Sequence, residues 1–151
     1  MKEQLITFPT AKLAKEKGFD WATDKHYENS LTEYINEEDG KSGPFGWEKG
    51  EINLQSDYFI NNWKECDLSS SSWYLCSAPT QSLLQKFIRE NRGVHIEIHK
   101  NASGYYWSMC RADGGTDLGW SDYSGPNMGG VWDSFEDALE KGLQESLKLI
   151  K

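Results

Sequence analysis

His95, Glu97 and His99 stand two residues apart in VHIEIHK, two imidazoles flanking one carboxylate. That is the residue set of a two-His-one-carboxylate metal site. On a strand, the three side chains share one face. Spacing limits what they could hold. Residues two apart on a strand lie about 6.6 Å from each other, close enough to share an ion, whereas His95 and His99 lie about 13 Å apart. Three ligands on one straight strand therefore do not converge. A metal would take an adjacent pair plus a further group, such as His26 or an acidic loop residue, and a catalytic one would also need an open position. The competing reading is a polar strand face turned to solvent.

A second set is aromatic: Tyr105-Tyr106-Trp107, then Trp120, Tyr123 and Trp132. Exposed rings beside Asp, Asn and Gly loops suit stacking on a sugar or anchoring a protein partner. Rings alternating on strands are more often core and cross-strand pairs. Tyr105, Trp107, Trp120 and Trp132 are the candidate binding residues. Trp107 shares a strand face with Tyr105, so one such face could be exposed.

Other chemistry finds no support, and the chain presents no catalytic residue set and no cofactor motif. The Gly-rich stretches at 42–46 and 124–130 lack the Gly-Lys-Ser/Thr of a phosphate loop and read as ordinary loops. The serines and cysteines lack the flanking signature of a nucleophile. Glu37-Glu38-Asp39 reads as a solvated turn. Cys66, Cys76 and Cys110 are odd in number and widely spaced, against a disulfide framework or zinc finger.

The elements that would position these residues are clearest in the C-terminal half. Leu83, Leu84, Phe87 and Ile88 form one helical stripe after Pro79, with Gly93 as the stop. Val94, Ile96 and Ile98 alternate with His95, Glu97 and His99 on a strand. Asn101–Gly104 is the hairpin loop, 105–112 the returning strand, Asp113-Gly114-Gly115 a turn and 116–123 a third strand. Ser134, with Asp137 three residues on, opens a last helix whose stripe is Phe135, Leu139, Leu143, Leu147 and Ile150, with Ala138 beside it. Gly142 costs that helix about 1 kcal/mol against Ala, which close approach to the sheet would offset. Near the start, residues 7–18 form a short helix capped by Thr7, with Pro9 in the first turn, Gly18 as its stop and a narrow apolar face of Leu13 and Ala14. Between 20 and 76 the signals are weaker. Strands are expected near 25–28 and 31–35, then an Asp39-Gly40 turn, a loop at 42–47, a strand or helical turn at 57–63 and an exposed connection at the serines 69–72.

These elements predict a single α+β domain over 1–151. It has an antiparallel sheet of about four to six strands, the two later helices side by side on one face, and the short N-terminal helix closing an edge or end. Residues 77–151 form its helix–strands–helix unit.

Four blocks carry a family resemblance: TAKLAKEKGF (10–19), APTQSLLQKFIRE (78–90) with the following VHIEI, and SFEDALEKGLQESLKLI (134–150). Together they resemble a small family of uncharacterised proteins of Bacteroidales genomes, prophages and phages. The resemblance covers most of the chain in order, least in 21–73. It implies a phage-related cytoplasmic setting and no mechanism. The helix–strands–helix order is also similar to that of double-stranded-RNA-binding domains. Those modules meet phosphate with lysines at the start of the second helix. Here that position reads Asp133-Ser134-Phe135-Glu136-Asp137, which suits a helix dipole and repels an anion.

Composition agrees. The 151 residues carry 16 Lys/Arg against 24 Asp/Glu, a net charge of −8, with 7 Trp and 7 Tyr. Such a surface is repelled by phosphate backbones and anionic membranes. No apolar run approaches the 18 residues of a membrane span, and the start lacks the apolar run of a signal peptide. The expectation is a cytoplasmic, non-enzymatic protein that binds another protein. A nucleic-acid-associated module, a metal-dependent enzyme at His95, Glu97 and His99, and a sugar-binding module are the alternatives.

Overall fold

In a computed structural model the chain is α+β, with the element order α1 (Phe8–Glu16), β1 (Thr23–Ile35), β2 (Ser42–Ile60), β3 (Ser72–Ser77), α2 (Gln81–Arg92), β4 (Val94–Asn101), β5 (Gly104–Arg111), β6 (Asp117–Trp120) and α3 (Phe135–Leu149). The structure describes residues 2–35, 42–60, 72–111, 113, 115–121 and 123–151, without the side chains of 28–75. The strands divide into two three-stranded antiparallel sheets, β2-β1-β3 and β4-β5-β6, where one sheet of four to six was expected. The chain forms two compact units, one of residues 1–21 with 79–151 and one of 22–78.

In the smaller unit, one long strand, β1, replaces the two short ones expected, and pairs with β2 from Thr23↔Ile60 to Ile35↔Ser42. Residues 42–47, expected as loop, lie in β2. Their Gly and Pro are accommodated because the register shifts between Glu33↔Trp47 and Ile35↔Ser42. A strand admits Pro at such an irregularity, where its missing N–H breaks no ladder bond. The expected Asp39-Gly40 turn lies outside the described residues, as do 61–63 and Ser69–Ser71.

The larger unit holds the helix–strands–helix arrangement. Thr80 caps α2: its hydroxyl accepts from Leu83 N at 3.2 Å, and the helix begins at Gln81, two residues after Pro79. Gly93 ends α2 in the left-handed conformation, φ 65°. Leu84, Phe87 and Ile88 are buried, and Phe87 meets Phe19 and Trp21 edge-on at 5.0 and 5.4 Å. Ser134 caps α3, accepting from Asp137 N at 3.1 Å and donating to its carboxylate at 2.7 Å. Ala138, Leu139, Leu143, Leu147 and Ile150 are buried as expected, whereas Phe135 is exposed. At Gly142 α3 lies tight against the sheet. A Cβ there would lie 3.1 Å from Ile96 Cγ2 and 3.2 Å from Trp107 Cβ.

The N-terminal residues complete this unit. Ile6 N donates to Pro79 O, Gln81 N donates to Gln4 O, and Ile6 is fully buried. Helix α1 packs on α3, with Thr10, Ala11 and Ala14 buried and Leu13 half-buried. Phe19 N bonds back to Ala14 O and Gly18 N to Lys15 O, with Gly18 at φ 87°. This is the paired closure that ends helices at a left-handed glycine.

Thr7 does not cap α1 with its own side chain. Glu140 of α3 does so instead. Its Oε1 accepts from Thr7 N at 2.8 Å, from Thr7 Oγ1 at 2.7 Å and from the buried Thr10 hydroxyl. Its Oε2 accepts from Gln81 Nε2 at 2.9 Å. A carboxylate at a helix N-terminus satisfies free N–H groups and is favoured by the dipole.

Candidate functional site

Pairing of β4 with β5 fixes which side chains share a face. His95 lies opposite Cys110, Glu97 opposite Ser108 and His99 opposite Tyr106, while Ser108 pairs with Trp120 of β6. Residues directly opposite project to the same side of a sheet. These seven therefore define the face away from α2 and α3. His99 stacks on Tyr106 at 5.1 Å and 24°, and its Nε2 shares a 2.8 Å hydrogen bond with Ser108 Oγ.

Glu97 sits between the two histidines, with His95 Nε2 3.8 Å from Oε1 and His99 Nε2 3.6 Å from Oε2. The imidazoles use different oxygens on opposite sides of one carboxylate, so the three line up rather than converge. Among the described residues no group of three His, Cys, Asp or Glu is placed to hold a metal ion. The face offers a row of polar groups and two aromatic rings beside a free, half-buried thiol, Cys110.

The four aromatic candidates do not form one site. Trp107 is 3% exposed and belongs to the core under Gly142, so it is not available to a ligand. Tyr105 has the same inward register and is half-buried. Lys100 Nζ lies 5.3 Å from its ring centre, and Phe135 meets it edge-on. Trp132 exchanges both backbone hydrogen bonds with Tyr105, bridging to β5 along the edge that β6 occupies further on, and is also half-buried. Trp120 stands apart at 64% exposed.

Trp120 is followed in the chain by a loop with two further exposed apolar side chains. Tyr123 is 74% and Met128 86% exposed. Tyr123 has φ 55°, the left-handed region that a bulky side chain occupies at a cost. The loop around it is built. Gly125 N donates to Gly130 O, Asn127 N to Val131 O, and Asn127 Nδ2 to Asp133 and to Ser103 O. At Gly130 a Cβ would lie 2.0 Å from Tyr123 O, so only glycine fits. In the sequence this stretch reads as an ordinary loop, with nothing to single out Met128. Its glycines were visible, but the cross-loop bonds that fix it were not.

Comparison of the chain with protein-family models, with curated proteins and with solved structures found no match.

Proposed function

We propose that this protein is a non-enzymatic interaction module that docks another protein on Trp120, Tyr123 and Met128. One observation carries the reading: a hydrogen-bonded loop holds large apolar side chains in water, one of them on a strained backbone. Trp, Tyr and Met are enriched at protein interfaces, and Trp and Tyr among the residues that dominate their energy. The lined-up His95, Glu97 and His99 weigh against a metal-dependent reaction. The exposed Asp133, Glu136 and Asp137 at the start of α3 weigh against phosphate-backbone binding. Resemblance to the Bacteroidales and phage family supports a cytoplasmic, phage-associated setting.

Crosslinking pull-down from a Bacteroidales host lysate tests the reading. The wild-type chain should retain a partner that the Trp120→Ser, Tyr123→Ser, Met128→Ser triple variant loses. Equal recovery by both, or nothing above the uncoupled control, would sink it.

A further inference from the structure

Where α2 hands over to β4, the larger unit leaves an open cleft of about 660 Å3 between the ends of β4 and β5, β6 and the last turn of α3. Its apolar lining includes Val94, Leu118, Leu149 and Ile150, with Leu149 49% exposed. Three cations, Arg92, Arg111 and Lys151, stand against one carboxylate, Asp113. That excess of positive charge occurs in a chain of net charge −8. Its source is visible by unit: residues 22–78 hold 4 Lys/Arg and 11 Asp/Glu, leaving 12 and 13 for the larger unit.

Helix ends explain part of the cluster. Arg92 lies in the last turn of α2, where a cation complements the dipole, and its Nη2 donates to Lys17 O at 2.9 Å. Lys151 follows the end of α3. Arg111 has no such role. It ends a strand, and among the described residues its guanidinium makes no ion pair, even with Asp113 two residues on. A guanidinium presents a planar fork of donors that matches a carboxylate or phosphate in two parallel hydrogen bonds. Clefts of 300–1,000 Å3 with apolar walls and a few polar groups are the usual form of small-molecule sites.

We infer that this cleft binds a small organic anion, a phosphate or carboxylate head held by Arg111 and Arg92 with an apolar tail laid on Leu118 and Leu149. The site is separate from Trp120, Tyr123 and Met128, so its failure leaves the docking reading standing. Octyl phosphate, octanoate, inorganic phosphate and uncharged octyl glucoside would be titrated into the full chain by calorimetry at low ionic strength. At least one of the two tailed anions binds one-to-one, and the tighter of them identifies the head group. Inorganic phosphate binds more weakly, and octyl glucoside does not bind. Arg111→Gln weakens the anion about tenfold, the loss expected when a charge-assisted hydrogen-bonding partner is removed. Arg111→Lys restores part of it, and Leu149→Ser weakens it with the charge intact. An unchanged melting temperature shows that the variants fold. Octyl glucoside binding as well as the anions, an Arg111→Gln variant that binds like wild type, or no saturable binding of either tailed anion would overturn the assignment.

Discussion

Glu140 holds the N-terminus of a helix to which it does not belong. Its two oxygens gather Thr7 and Thr10 from the start of α1 and Gln81 from the start of α2, and Gln144 Nε2 donates in turn to Thr10 Oγ1 at 2.9 Å. Thr10 is fully buried, so removing the carboxylate takes the charged acceptor from a buried cluster and leaves its hydroxyl with Thr7 Oγ1 at 3.1 Å and Gln144. Glu140→Ala is expected to cost about 2 kcal/mol by urea denaturation, and Glu140→Gln less, because the amide oxygen still accepts. Glu145, one turn on, behaves differently. Burial pushes its carboxyl up, but hydrogen bonds and charge from Lys148 at 2.7 Å and Lys141 at 3.1 Å outweigh this and hold it below its ordinary value. A carboxyl lowered by folding adds stability above its unfolded value and loses it as pH falls through the folded one. Glu145→Gln should therefore cost less than about 1 kcal/mol at neutral pH. The gap to wild type should close as pH drops below about 4, which melts recorded across acid pH would show. Nothing local announces Glu140 as a cap, since Thr7 has the right residue type in the right place. The carboxylate that displaces it comes from 133 residues away.

Helix α3 was legible because its signals are local: Ser134 and Asp137 at capping distance, then leucines at helical spacing. The role of Gly142 was legible too, as a cost that needed a reason. The reason is contact, since Ile96 and Trp107 occupy the space a methyl would take. Gly142→Ala gains about 1 kcal/mol of helix propensity and loses about 1–3 kcal/mol to overpacking. Net destabilisation is expected, and Gly142→Val should lose the cooperative thermal transition. Caps are more forgiving: Thr80→Ala and Ser134→Ala should each cost about 1 kcal/mol, with binding at the Trp120 loop unchanged. Residues 42–47 were misread for the opposite reason. Gly and Pro are strong local punctuation, and strand pairing with a distant partner overrode them. Aromatic residues were legible as a class but not by side. Alternation put Trp107 with Tyr105, yet only the packing of α3 shows that this face is the inner one.

Charge and packing divide the molecule in the same place. Residues 22–78 carry a net −7 of the −8, and the remainder is nearly neutral. A near-neutral unit has little self-repulsion to overcome. Its core draws on Ile6, Phe19, Leu84, Ile88, Leu143 and Leu147, all fully buried or nearly so, and all outside 22–78. The chain ends that would need joining are already anchored within this unit, Trp21 on Phe87 and Pro79 on Ile6. Two segments tied to one core gain little from a long connection, because closing a loop costs only about 0.6 kcal/mol per doubling of its length. A chain in which a short Gly-Ser linker replaces 22–78 should therefore fold by itself. It should show helical circular dichroism and one cooperative urea transition, the mark of a small two-state domain. Its slope against urea should be shallower than that of the whole chain, in proportion to the surface removed. A broad transition with exposed apolar surface would show that the core of 1–21 and 79–151 is not sufficient, and that the strands of 22–78 are part of what holds it.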